Sequence, residues 1–505
     1  MPWRHQSMQL SKTNFQIWRD CALNAWAKIH LPEIYHARPM SAFDAALIET
    51  GNEIDELARG LFPGGRLIAR GDATTTAGLV AERAPVLYQP VFETEAFTTA
   101  CDILVWNETA TAYDLYEVKA STNNGATRAR MEDYAYDLAF QDEVLRRNVV
   151  PLGGLYLVRL DSGYERRGDL DIEALFARED MTGEVAAIAE EVRFAMDAAH
   201  EFLNTERQPM GPCACITRGR SKHCTTFAHW NPNVPDYSVH DIARIGSSPK
   251  KLTGLVDDGI LDIRDVPGDA PLSDTQMNQV RAAKFGNAFI DPGAIADFLS
   301  ALCYPLAFID YETCPAAIPR YDGYHPFDQI PFQFSLDVVA EPGAHITHHE
   351  YLARSSQCPD REFLSALRNA LPHRGSVMVW NKTFETGINR KLAARNPADA
   401  AHLTDLNNRI IDLADVFTSQ AYVHPDFKGR TSIKAVLPVL VPELSYKALV
   451  IQEGGAASEA WGRMVSGTVR RAEADLLPND LLAYCALDTR AMVEIWRILI
   501  QISAA

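Results

Sequence analysis

Cys101-Asp102-Ile103-Leu104-Val105-Trp106, the polar turn Asn107-Glu108-Thr109 and then Tyr113-Asp114-Leu115-Tyr116-Glu117-Val118-Lys119-Ala120 read as a β-hairpin, because two runs rich in branched and aromatic residues flank a turn. A helix is predicted next over about 127–147, with Met131, Tyr134, Leu138 and Leu145 at helical spacing, followed by a strand over 153–160. Hairpin, helix and strand in this order make an α/β module. Side chains alternate along a strand, so Glu117 and Lys119 share one face, and Asp102 begins the partner strand. Two carboxylates there suit a divalent ion held on a scissile phosphate, with the lysine positioning water and stabilising developing charge. Gln141 falls on the helical face of Tyr134 and Leu138, where an uncharged polar group needs a partner.

Around this module the chain runs to 505 residues, enough for two or three domains. Apolar residues make up 47% and charged residues 23%, and no run approaches the roughly 18 apolar residues of a membrane span. The N-terminus lacks a signal-peptide pattern, and nine cysteines are too sparse for a disulfide scaffold, so a soluble protein of the reducing cytoplasm is expected, with no membrane partner. The formal net charge of −18 excludes a passive basic coat for nucleic acid. An acidic protein still handles nucleic acid where its carboxylates hold divalent metal, since the metal supplies the positive field.

Asn231-Pro232-Asn233-Val234-Pro235 closes a first region, 1–235, and Asp291-Pro292-Gly293 precedes a third, 296–505; the piece between, 236–295, reads as a small helical connector of short helices and turns. The third region reads as strands at 307–313, 332–339 and 348–353, a helix, a strand at 377–381, a helix, a strand at 410–417, then helices. That alternation predicts a mixed sheet.

Two further groupings carry chemistry. Cys213, Cys215 and Cys224 lie close together with His223 and His229 directly after a helix, a ligand density suited to zinc or an iron-sulfur cluster. In the third region Asp310 and Glu312 share a strand face in Phe308-Ile309-Asp310-Tyr311-Glu312. Glu385 follows in Trp380-Asn381-Lys382-Thr383-Phe384-Glu385, and Tyr484 and Asp488 stand one helical turn apart. Four carboxylates from three elements suit two metals about 4 Å apart, with Tyr484 orienting water.

Asp102, Glu117-Val118-Lys119 and Gln141 resemble the PD-(D/E)XK motif set of RecB-like nucleases, the group that includes the CRISPR adaptation nucleases. The resemblance implies a restriction-endonuclease-like fold, with Asp102 and Glu117 as metal ligands and Lys119 and Gln141 completing the catalytic set. A histidine that often adds a ligand is absent from Gly51-Asn52-Glu53-Ile54-Asp55-Glu56-Leu57, where Glu53 is the substitute expected. Relatives carrying a 4Fe-4S cluster place one cysteine near the N-terminus and three after the core. Cys21, Cys215, Cys224 and His229 match that pattern, His229-Trp230 standing for the usual Cys-Trp; the histidine tilts the choice toward structural zinc, and Cys213 competes as a ligand. Asp310, Glu312, Glu385, Tyr484 and Asp488 resemble the DEDDy 3′–5′ exonucleases of RNase H-like fold, whose third acidic position is normally Asp rather than Glu385.

The whole chain is similar to an uncharacterised bacterial family that fuses these modules. The expectation is an α/β protein with two nuclease sites that hydrolyses DNA phosphodiesters with Mg²⁺ or Mn²⁺, in DNA repair or antiviral defence. RNA trimming is the alternative, as is a nucleic-acid-binding adaptor with an inactive RNase H-like domain.

Overall fold

The computed structural model describes residues 8–37 and 40–504. The chain divides into two compact units: the first runs through Ile216 and includes His223–Pro232 and Ala317–Asp328, and the second comprises Thr217–Lys222, Asn233–Ala316 and Gln329–Ala505. Both are α/β with mixed sheets. Among the described residues no helix is long and apolar enough to cross a membrane.

The first unit opens with helices α1 (Lys12–Asp20), capped by the Ser11 hydroxyl, α2 (Ala22–His30) and α3 (Ala42–Ala58), which starts at a Ser41/Asp44 capping box. Among the described residues its main sheet has six strands in the spatial order β1 (Arg66–Leu67), β2 (Val86–Tyr88), β3 (Ile103–Asn107), β4 (Ala112–Thr122), β5 (Leu152–Leu160) and β6 (Phe176–Asp180). The expected hairpin is β3 and β4, paired antiparallel with Ile103 opposite Tyr116. Helix α4 (Arg128–Arg147) carries the chain over to β5, which lies parallel to β4 and needs such a crossover. Tyr116 and Val118 pack toward α3 in a cluster with Ile54, Ala58, Ile103 and Val158, which leaves Glu117 and Lys119 on the α4 side of the sheet. α5 (Thr182–Leu203) packs on α4.

The second unit holds a sheet in the order β9-β8-β7-β10-β11, where β7 is Leu306–Ala316, β8 Asp328–Val339, β9 Ile346–Leu352, β10 Val377–Val379 and β11 Ile410–Asp412. β9 is antiparallel to β8, while β10 and β11 continue parallel from β7. The last strand is shorter than the expected 410–417. Asp412 turns its carboxylate onto the Ala414 amide, and Asp415–Thr418 coils into a helical turn that buries Phe417. Helices α6 (Lys382–Arg395), α7 (Ile433–Leu440), α8 (Gly454–Ser466) and α9 (Leu477–Ser503) surround the sheet. The connector has its own small core of Val239, Ile242, Leu252, Ile263 and Val280. Its end is stitched to the rest of the unit, Phe289–Ile290 pairing antiparallel with Tyr422–Val423.

Candidate functional sites

In the first unit, Asp102, Glu117, Lys119 and Gln141 converge. Glu117 is 2% exposed. Its Oε1 accepts from Lys119 Nζ at 2.8 Å and from Lys12 Nζ at 2.6 Å, and its Oε2 accepts from the Gln141 amide at 2.7 Å. Lys119 also donates to Asp137 Oδ2 at 2.6 Å. Gln141 thus has the partner its position required, and its own carbonyl oxygen is buried with no hydrogen bond among the described residues. Asp102 accepts from the Val118 amide at 2.7 Å, which fixes it beside the Glu-x-Lys strand. Burial first, then the charge of Glu117, pushes Asp102 up to about 7. Burial opposes ionisation of Glu117 too, but Lys119 and Lys12 outweigh it and hold that carboxyl below its usual range.

Glu53, the substitute ligand expected from the sequence, is not among the side chains gathered at Glu117. On α3 residues two apart point to different sides, and Glu53 is exposed while Asp55 turns inward. Gln89 donates to Asp55 Oδ1 at 3.1 Å and to Asp102 Oδ1 at 3.4 Å, so Asp55 stands at the rim of the site. Lys12, Asp55 and Asp137 went unread in the sequence. Asp137 carried a usable signal, lying one helical turn before Gln141; Lys12 carried none, because only tertiary folding brings α1 to β4.

The cysteine site gathers Cys21, Cys213, Cys215 and Cys224, all buried, with their sulfurs within 4.8 Å of one another. His229 is corrected out of the set and Cys213 takes its place: the His229 ring nitrogen lies 3.5 Å from the Gln208 side chain at the surface. Cys213 accepts from the Asn231 amide at 3.2 Å and lies 3.9 Å from the Cys224 sulfur. Hydrogen bonds from Cys21 and Cys224 hold the Cys213 thiol low, while Cys21, facing Cys213, is pushed up to about 12. Four sulfurs at this spacing fit a single tetrahedral ion, since Zn–S bonds of roughly 2.3 Å set sulfurs about 3.8 Å apart.

In the second unit, β7 places Asp310 and Glu312 on one face. Their carboxylates and the Cys485 sulfur lie within 4.8 Å of one another. Asp488 and Glu385 close the group: burial first, then Asp488, Glu312 and Glu385, raises Asp310 well above the usual carboxyl range. Burial and Asp488 push Glu312 up to about 8, and burial and Asp412 push Glu385 up to about 8. Burial raises Asp488 to about 6 against the Tyr446 hydroxyl, which donates to its Oδ1, and the charge of Lys434. Lys434 Nζ donates to the Tyr484 hydroxyl at 3.1 Å. Glu385 Oε2 is buried with no hydrogen bond among the described residues. This buried acidic set, with an orphaned oxygen and Lys434 as the nearby cation, has the donor chemistry for a hard divalent ion. Lys434, Tyr446 and Asp412 are its members beyond the expected five.

A family profile described as a domain of unknown function, DUF2779, matches residues 307–432. The match spans Asp310, Glu312 and Glu385 and stops short of Lys434, Tyr484 and Asp488. Uncharacterized protein UU173 of Ureaplasma parvum is 26% identical over 223 residues, covering 40% of this chain and 32% of that protein. Uncharacterized protein MG366 of Mycoplasma genitalium is 26% identical over 208 residues, covering 37% and 31%. The chain thus spans about a third of the length of these curated relatives. No solved structure matches.

Proposed function

We propose that the chain is a metal-dependent nuclease with two phosphodiester-hydrolysing sites, acting on DNA. The carrying observation is the second unit's group of Asp310, Glu312, Glu385 and Asp488, the last three buried and Asp310 partly so. Carboxyls are driven toward protonation there by burial and by each other, and a divalent cation relieves that cost. The sheet order β9-β8-β7-β10-β11, with β7 central and two parallel strands beyond it, agrees with an RNase H-like unit. The hairpin, crossover helix and parallel strand of the first unit agree with a PD-(D/E)XK unit.

Mg²⁺ or Mn²⁺, when bound, supplies a Lewis acid and a lowered water pKa. Asp310, Glu312, Glu385 and Asp488 would hold it in one site, Asp102 and Glu117 in the other. Lys434 turns the Tyr484 hydroxyl by donating to its oxygen, leaving the phenolic proton for a water or phosphate oxygen. Lys119, fixed between Glu117 and Asp137, would position water and offer its charge to the scissile phosphate. The four cysteines would hold zinc, clipping the N-terminal segment to the stretch that follows α5.

The test is digestion of end-labelled single-stranded and duplex DNA, and matched RNA, with Mg²⁺, Mn²⁺ or chelator. Lys119→Ala combined with Asp310→Ala should abolish digestion while neither change alone does. Full activity of the double variant would refute both assignments, and selective digestion of the RNA would move the substrate from DNA to RNA.

A further inference from the structure

Helix α8 opens beside the second site on a residue without a side chain, Gly454. A Cβ there would stand 3.6 Å from Glu312 Oε2 and 4.0 Å from the Tyr484 hydroxyl. The backbone does not call for this glycine: Gly467, just past the end of the same helix, has φ +72°, whereas Gly454 is not left-handed. Packing does not call for it either, since 3.6 and 4.0 Å are ordinary van der Waals separations. Alanine would fit, and alanine is the better helix former. What glycine provides at 454 is room in front of a carboxylate and a hydroxyl.

That room lies on the side from which solvent reaches the carboxylates. Glu312 and Asp488 are 8% and 7% exposed, while Asp310 and Gly454 are half-buried and Lys434 is exposed. The lysine also fixes where Gly454 stands. Its Nζ donates to the Gln452 carbonyl at 2.7 Å, two residues before the helix starts, as well as to the Tyr484 hydroxyl at 3.1 Å. The Gln452 side chain donates in turn to the Leu449 carbonyl at 3.0 Å, and Tyr446, three residues earlier, donates to Asp488. One stretch, from Lys434 to Gly454, therefore sets the Tyr484 hydroxyl, the Asp488 carboxyl and the bare wall that faces Glu312.

We propose that Gly454 is the substrate-facing wall of the second site, the scissile phosphate of a single strand seating against its bare Cα between Glu312 and Tyr484; this rests on the nuclease reading of the same carboxylates. A strand reaching the group comes from the side that Asp310 and Gly454 leave open, so a side chain at 454 projects into its path. A methyl group there pushes the phosphate outward by about 1 Å or more, and a misplacement of about 1 Å is enough to cost roughly 100-fold in rate. The glycine thus serves the substrate rather than the fold.

The experiment uses the full chain with Lys119→Ala to silence the first site, and follows single-turnover shortening of 5′-labelled oligothymidylate in Mn²⁺. Gly454→Ala should lower the rate about 100-fold. Gly462→Ala, in the same helix, is the control, because a Cβ there meets nothing within 4 Å, and it should match the parent's rate. Both variants should melt at or above the parent's temperature. Both should also keep the rise in melting temperature that Mn²⁺ produces, since the methyl touches Glu312 without displacing it. Equal rates in the two variants would overturn the role of Gly454 while the parent's cleavage, and the nuclease reading, stand. A lower melting temperature in Gly454→Ala alone would make the glycine a packing requirement and overturn it too. Loss of the Mn²⁺-induced rise in that variant would put the ion, not the phosphate, against Gly454, with the same consequence. A parent that shortens neither DNA nor RNA strands would overturn the nuclease reading, and this inference with it.

Discussion

Lys12 Nζ stands 2.6 Å from Glu117 Oε1, the same oxygen that Lys119 reaches at 2.8 Å. Lys12 is the first residue of α1, and Cys21 follows the last residue of that helix. One nine-residue helix therefore joins the cysteine cluster to the carboxylate site, and Gln16, midway along it, donates to Asp137, the second partner of Lys119.

The expected consequence of losing that cation is kinetic. With Asp310→Ala silencing the second unit, Lys12→Ala should slow DNA cleavage by roughly 10- to 100-fold, toward the lower range for removing a charge aimed at the reacting phosphate. Lys12→Arg should recover part of it. Initial rates under saturating Mn²⁺ decide this; an unchanged rate in Lys12→Ala would make Lys12 a structural counter-ion only.

Cys213→Ser and Cys224→Ser should both release the bound metal, while His229→Ala should keep it, since the histidine ring lies outside the sulfur cluster. Elemental analysis should find about one zinc per chain, the complement of a single Cys₄ structural site. A visible chromophore with several irons would replace zinc by an iron-sulfur cluster. Because Cys21 ends α1, stripping the metal should also raise hydrogen exchange across Lys12–Asp20.

Much of the architecture was legible because it rested on local rules. The turn Asn107-Glu108-Thr109 announced the hairpin, and alternation put Glu117 with Lys119 and Asp310 with Glu312. The same rules failed where three-dimensional neighbours decide. His229 looked like a ligand by order along the chain, yet Cys213 fills the place because the loop after Cys213 folds back on Cys224. The stretch Gly51–Leu57 offers Glu53 by its order in the chain, whereas the helical rotation of α3 leaves Glu53 exposed and turns Asp55 to the rim of the site. The strand expected over 410–417 stopped at Asp412, whose carboxylate finds the Ala414 amide and turns the chain. Lys434 and Tyr446 come from a stretch with no acidic or metal-ligand pattern, and only the packing of the chain between α6 and α9 brings them to Tyr484 and Asp488.

A pH dependence follows from the second carboxylate group. Burial, with the charge of Asp488 added for Glu312 and that of Asp412 for Glu385, raises both to about 8, against roughly 4 for a carboxyl in an unfolded chain. At these two groups the folded protein binds more protons than the unfolded one between about pH 4 and 8, so the stability they contribute is fullest below that window and falls as pH rises through it. His348, raised by Asp337 and Glu350 against burial, slopes the same way, so the measurement must be a difference. In chelator, the melting temperature of Glu312→Gln should gain on that of the parent as pH rises from about 5.5 to 8.5, and Mn²⁺ should abolish the gap by favouring the ionised carboxylates. A gap independent of pH would show that Glu312 is not the titrating group.

Tyr484 carries the most direct test of the second site. Its hydroxyl accepts from Lys434 at 3.1 Å, and a Cβ added at Gly454 would stand 4.0 Å from it and 3.6 Å from Glu312 Oε2, so hydroxyl and carboxylate face the same space. Tyr484→Phe keeps the ring and its packing against Tyr446 while removing the proton that orients water, and should slow 3′–5′ shortening of single strands by about 100-fold, the lower end for a positioned acid-base group. Lys434→Met removes the hydrogen bond that sets the hydroxyl's direction, and should cost less, with strand affinity preserved. Asp488→Asn should cost more than either, since it takes a charge from the ion-binding set. Single-turnover rates in a Lys119→Ala background isolate the second site. An order in which Lys434→Met is the most damaging would make Lys434 the group that contacts phosphate, and Tyr484 its support.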